Sequence, residues 1–233
     1  GHRHPQRLGD FAEADAAADR SLVDGAYWDN LGLKLLLALE WHGDLEEAKS
    51  ILDQFPTSAL QEDWGISEAY RYYERSRNPS LALAFLGKVS KEWLSSNFYV
   101  GPVAMLTGQA RKAAGQTAAA ERDFRRALPL IEQRLKDTPN DITLLTGKAL
   151  IHVYLEERDA AEKTYRLIQE VQETDGQRRG RRGYSVTLGM LLDPPEVVLD
   201  ELEKSRVTAA VLRLNPTLDP LRSHPRFVAI IAR

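Results

Sequence analysis

The 233-residue chain contains no cysteine, which excludes disulfides and thiolate-bound metal. Nor does it carry an excess of one charge. Its 31 basic and 34 acidic residues leave a net charge of −3, so the whole molecule provides no field to gather nucleic acid. No window approaches the roughly 18 to 20 apolar residues that a membrane span requires. The longest candidate, residues 31–39, is broken by Lys34. Histidine is sparse as well. His2 and His4 lie near the start, His42 stands beside Gly43, and His152 and His224 are far apart, so no pair has zinc-helix spacing with a nearby glutamate. No metal and no cofactor are expected.

Two catalytic signatures are missing too, the phosphate-cradling glycine loop ending in Gly-Lys-Ser/Thr and the Gly-x-Ser-x-Gly elbow. Carboxylates are numerous, but Glu46, Glu47, Glu121, Asp123 and Glu162 fall on presumed outer faces. Glu121 with Arg125, and Glu162 with Arg166, have the i,i+4 spacing of exposed helix support. The chain is expected not to be an enzyme. A hydrophobic content of 43% and a charged content of 28% are those of an ordinary folded protein.

What is present is a recurring spacing. Gly43-Asp44-Leu45-Glu46-Glu47-Ala48 is followed by Leu52 and Phe55, which share a helix face with Ala48 at i, i+4, i+7. A near copy, Gly9-Asp10-Phe11-Ala12-Glu13-Ala14, stands 34 residues earlier, and Ala82 with Leu86 and Val89 stands 34 residues later. Gly115 to Ala120 with Phe124 and Ala127 follows at a displacement of 38, and Ala161 with Tyr165 and Ile168 at 41. A period in this range, with a small residue where two helices approach and a large one a turn later, signals stacked helix pairs. The residues assigned this structural role are Gly43, Ala48, Ala82, Gly108, Gly115, Ala120, Phe124 and Ala161.

On those residues the chain resembles the tetratricopeptide repeat family. The resemblance implies an all-α fold, an α–α superhelix or solenoid of antiparallel pairs whose concave face binds a peptide or partner protein. It places Ser67, Arg71 and Glu74, then Met105, Gln109 and Lys112, then Thr146, Leu150 and Val153 on that inner wall. Residues 212–231, with Leu218, Leu221 and Phe227, look like the segment that closes such arrays in bacterial signalling kinases, cyclases and transcription regulators. They are expected to plug the last exposed helix surface. A protein- or peptide-binding scaffold of a larger, cytoplasmic regulatory protein is therefore the functional expectation. A ligand-sensing domain controlling an attached kinase, cyclase or DNA-binding domain is the alternative, and self-association is a third. The start on Gly1, inside a half-repeat, is read as an excised piece of a longer protein.

One domain over residues 1–233 is expected: a partial repeat at 8–25, three to four pairs over 26–175, a basic loop at 176–183, and a divergent pair with its cap over 184–233. Within the loop, Arg178, Arg179, Arg181 and Arg182 are the candidates for an anion contact, although no aromatic is interleaved and an exposed linker is the plainer reading. Tyr70 and Tyr73 match interior positions, whereas Tyr72 is freer to meet a partner. Pro129 is expected to kink or split the helix over 117–135.

Overall fold

The computed structural model describes residues 27–174, 182–205 and 207–232. These form an all-α fold with a single short two-stranded ribbon among the described residues. The chain divides into two compact units, Gly1–Asn78 joined by Leu199–Arg233, and Pro79–Val198. The partial repeat expected at 8–25 lies outside the described residues.

In the first unit, α1 (Tyr27–Leu37) runs on into a π-helical turn, Ala38–His42. Gly43 ends it at φ 67°, a left-handed conformation that glycine adopts without strain. A side chain there would also press on Ala210, whose Cβ would lie 3.1 Å from the added carbon. Asp44 then starts α2 (Leu45–Leu52), its Oδ1 accepting the backbone N–H groups of Glu46 and Glu47 at 2.9 Å. The α1–α2 pair buries Leu31, Leu35, Leu36, Leu39 and Ala48. The wide apolar face of Leu35 to Leu39 is thus covered all round. Phe55 turns its ring onto Trp64 with centroids 5.4 Å apart, leading to α3 (Asp63–Arg75). Close approach of that helix to the preceding 3-10 turn needs Gly65, where a Cβ would sit 2.0 Å from the Ala59 carbonyl oxygen.

The second unit opens with α4 (Pro79–Leu86), then β1 (Trp93–Ser95) and β2 (Val100–Pro102), an antiparallel ribbon in which Leu94 faces Gly101. Four helices follow: α5 (Val103–Ala113), α6 (Thr117–Leu135), α7 (Ile142–Tyr154) and α8 (Arg158–Thr174). Pairs α5–α6 and α7–α8 are packed hairpins, α6 packs on α7, and α9 (Arg182–Leu192) packs on α7. At the α5–α6 crossing Gly108 faces the Phe124 ring, and a Cβ on Gly108 would come within 2.7 Å of it. Ala120, Phe124 and Ala161 are all buried, as their spacing requires. Gly115 turns the chain at φ 73°. Helix α6 continues unbroken past Pro129. The Arg125 carbonyl that loses its donor there belongs to an exposed residue, so water can satisfy it.

Helix α10 (Pro195–Lys204) straddles the division of the chain, and its end belongs with α11 (Ala209–Leu214), a 3-10 turn (Pro216–Leu221) and α12 (Pro225–Ile231) in the first unit. Leu218, Leu221 and Phe227 are buried, and Arg226 beside Phe227 pairs with Asp200 at 2.6 Å and with Glu203 at 3.1 Å on α10. Helix α11 of the same segment packs on the π-helical turn of residues 38–42. Two long-range ties hold it there: the Glu40 carbonyl in that turn accepts the Thr208 hydroxyl, and Asp219 takes Arg77 in an ion pair of 2.6 Å.

Ala82 is buried, as a small residue at a helix contact should be, and its helix α4 packs on α5, the helix after it. Helix α5 begins only at Val103. Gly101 and Pro102 favour extended chain there, and Pro102 stands at ψ 139°.

Candidate functional site

Of the nine residues expected to share an inner wall, Ser67, Arg71 and Glu74 lie in the first unit and the other six in the second. Ser67 is buried, its hydroxyl donating to the Asp63 carbonyl at 2.7 Å. Met105, Thr146 and Leu150 are buried as well, and Met105 and Leu150 belong to one core cluster with Ala149 and Ile151. The reason is the bare helix at Gly147: the sulfur of Met105 approaches to 3.9 Å of where its Cβ would be, so side chains fill the space a groove would need. Arg71 is held by Glu40 at 2.8 Å and by Glu68, while Glu74 is half-buried beside Arg75. Glu74, Gln109, Val153 and Lys112 keep surface, and Lys112 Nζ lies 5.8 Å from the centroid of the Tyr154 ring. Tyr72, the freer aromatic in sequence, is buried edge-on to Tyr73 with centroids 5.5 Å apart. Arg178, Arg179 and Arg181 lie outside the described residues, as does the side chain of Arg182.

A different face of α5 carries the more distinctive feature. A surface cleft of about 460 Å³ is bounded by Leu83, Leu86 and Val89 at the end of α4, by Lys91 and Glu92 before β1, and by α5 and α6. From α5 come Val103, Ala104, Thr107 and Arg111; from α6 come Asp123 and Arg126. At about 100° per residue these α5 positions lie roughly 150° around the helix from Met105, Gln109 and Lys112. One wall is apolar and the other charged. Asp123, only 6% exposed, sits 2.9 Å from Arg111 Nη1 in an off-axis ion pair, and its Oδ2 receives no hydrogen bond. Arg126 is two-thirds exposed, and its Nη2 remains 3.9 Å from Asp123 Oδ1. Sequence reading placed Asp123 on an outer face. The i, i+3 pair Asp123–Arg126 was visible there, but nothing in the spacing said that α4 would close a cleft beside it.

The first unit holds a second charged group, buried on α3. Glu68 is 1% exposed; burial pushes its carboxyl above the ordinary range, and the Arg71 guanidinium offsets only part of this. Burial likewise lowers Arg75, with Glu74 opposing. The spacing of Glu68, Arg71 and Arg75 puts them on one helix stripe. Arg71 ties this group to Glu40, and it reads as internal support for the π-helical turn.

Two histidines have matching partners that the sequence did not announce. His42 Nδ1 lies 2.6 Å from Glu47, and His152 Nδ1 lies 2.7 Å from Glu157, each bond spanning the turn of a helix pair. Among the described residues no group of three or more His, Cys, Asp or Glu is placed to hold a metal ion, and no helix is long and apolar enough to cross a membrane. Comparison with family models, with curated proteins and with solved structures finds no match. The site is therefore argued from this chain's own geometry.

Proposed function

We propose that this chain is a tetratricopeptide-like, non-enzymatic scaffold that binds a protein or peptide on behalf of a larger regulatory protein. The observation that carries the reading is the cleft between α4, α5 and α6, where the apolar side chains of Leu83 and Val89, backed by buried Leu86, Val103 and Ala104, face a charged wall of Arg111, Asp123 and Arg126. Such a mixture suits the exposed segment of another chain, whose side chains alternate in character. The series of packed helices from α4 through α8 supports the same reading, because it holds both walls on regular elements. The ligand-sensing alternative loses its support at Met105 and Leu150, which lie in packed core.

The test is selection of a displayed peptide library on the full chain, followed by calorimetry with the recovered peptides. Saturable one-to-one binding is expected. Failure of every library to yield a saturable binder, with the protein folded by circular dichroism, would refute the peptide-scaffold reading.

A further inference from the structure

We infer that the α4–α5–α6 cleft takes a peptide segment in which an apolar residue is followed by an acidic one, the carboxylate being gripped by Arg126 with Arg111 behind it. This rests on the scaffold reading above and names the chemistry of its partner. Two arginines of the cleft wall, Arg111 and Arg126, stand around one carboxylate, Asp123. One positive charge is left over. Asp123 is already committed to Arg111 at 2.9 Å, and that pairing fixes Arg111 in the wall. Arg126 is the group in surplus: at 3.9 Å from Asp123 it makes no hydrogen bond among the described residues, and its planar fork of N–H donors matches a carboxylate.

A surplus of one charge selects among anions. A carboxylate carries a single negative charge and balances the cleft. A phosphate monoester carries about −1.5 to −2 and would leave excess charge facing Glu92 and Asp123. The opposite wall sets the other requirement. Leu83 and Val89, both partly exposed, offer an aliphatic surface in the same cavity, backed by the buried Leu86, Val103 and Ala104. A volume of about 460 Å³ is roughly 8 Å across, or about two residues of extended chain, so the apolar and acidic side chains must be close neighbours. The surface used is not the inner wall of the Met105, Gln109 and Lys112 face. A binder here leaves that face of α5 untouched.

The experiment titrates the isotopically labelled full chain with four end-blocked hexapeptides, identical except that a leucine is followed by glutamate, glutamine, lysine or phosphoserine. Backbone amide shifts of Leu86, Ala104, Thr107 and Arg126 are read by nuclear magnetic resonance. The glutamate peptide is expected to titrate these amides at least fivefold more tightly than the other three. Arg126→Glu, at an exposed position, should abolish the response, and Arg122→Glu, the same charge change one turn away, should preserve it. Preference for lysine or phosphoserine, equal binding of glutamine, an unchanged response in Arg126→Glu, or silence of the cleft amides with all four peptides each overturns the inference. If library-selected peptides bind but map away from the cleft, the inference falls while the scaffold reading stands. If no library peptide binds either, both fall.

Discussion

Gly108→Ala is a sharp test of the helix crossing on which the second unit is built. Two effects oppose one another. Replacing a mid-helix glycine with alanine should stabilise α5 by about 0.8 to 1 kcal/mol through backbone entropy alone. Against this, the new methyl would lie 2.7, 2.9 and 3.0 Å from three carbons of the Phe124 ring. That ring cannot swing aside: it is 1% exposed and stacks on Tyr154 with centroids 4.8 Å apart and planes 17° from parallel. Overpacking of this kind costs about 1 to 3 kcal/mol, so the net effect is a loss of about 1 kcal/mol. The double variant separates the two terms. In a Phe124→Leu background the clash disappears and Gly108→Ala should become stabilising, giving a coupling of about 1 to 3 kcal/mol between the positions. Amide hydrogen exchange at Ile131 and Ala149 reads the stability of this unit without assuming that the whole chain unfolds at once. If Gly108→Ala alone raises protection by the full helix increment, the close approach of α5 to α6 is wrong.

The other expectations are local. Arg71→Ala strands the buried Glu68 carboxylate and should cost about 3 to 5 kcal/mol by thermal or urea unfolding. Because the folded Glu68 carboxyl titrates above its ordinary 4.5, the stability it contributes is greatest below that value and is lost as pH rises through the folded pKa; removing Arg71 should steepen that loss. Asp219 behaves oppositely. Burial would raise its pKa, but hydrogen bonds and charge from Arg77 and Arg222 bring it below 3.8, so its contribution is present above that value and disappears as pH falls through the folded one. Asp219→Asn should flatten the acid limb of a melting-temperature profile, and an unchanged limb would deny the tie between Arg77 and the terminal segment. Asp44→Ala removes two N-terminal hydrogen bonds of α2 and should cost about 1 kcal/mol, with exchange accelerated at Glu46 and Glu47.

The helix pairs were legible because their cause is short-range. A glycine with positive φ at Gly43 and Gly115, an aspartate cap at Asp44 and Asp141, and a small residue one turn before a large one at Ala120 and Phe124 each act within a few residues. Such signals give the bounds of α6 but not what lies against it. At Ala82 the small-then-large spacing is present and the residue is buried, yet its helix packs on α5. The spacing reports that a close contact exists, not which neighbour supplies it. The terminal segment shows the same distinction. Leu218, Leu221 and Phe227 announce burial, but their destination depends on the Glu40 carbonyl and on Arg77, residues far away in sequence that Thr208 and Asp219 reach.

The site follows the same logic with more at stake. The tetratricopeptide resemblance implies an open wall at Met105, Thr146 and Leu150, on the premise that pairs stack at a uniform distance. Gly147 breaks that premise, since a helix without a side chain at one point admits its neighbour and converts the wall into core. The cleft arises from the opposite deviation. Helix α4 ends at Leu86, and the chain then spends residues 87–92 reaching the ribbon before Val103 begins α5. A short helix beside two longer ones leaves the flank of α5 around Thr107 and Arg111 only partly covered, with the buried Asp123 and the exposed Arg126 of α6 at its margin. Among these packed helices, irregular helix length places the accessible surface, and the short-range spacing of small and large residues places the core.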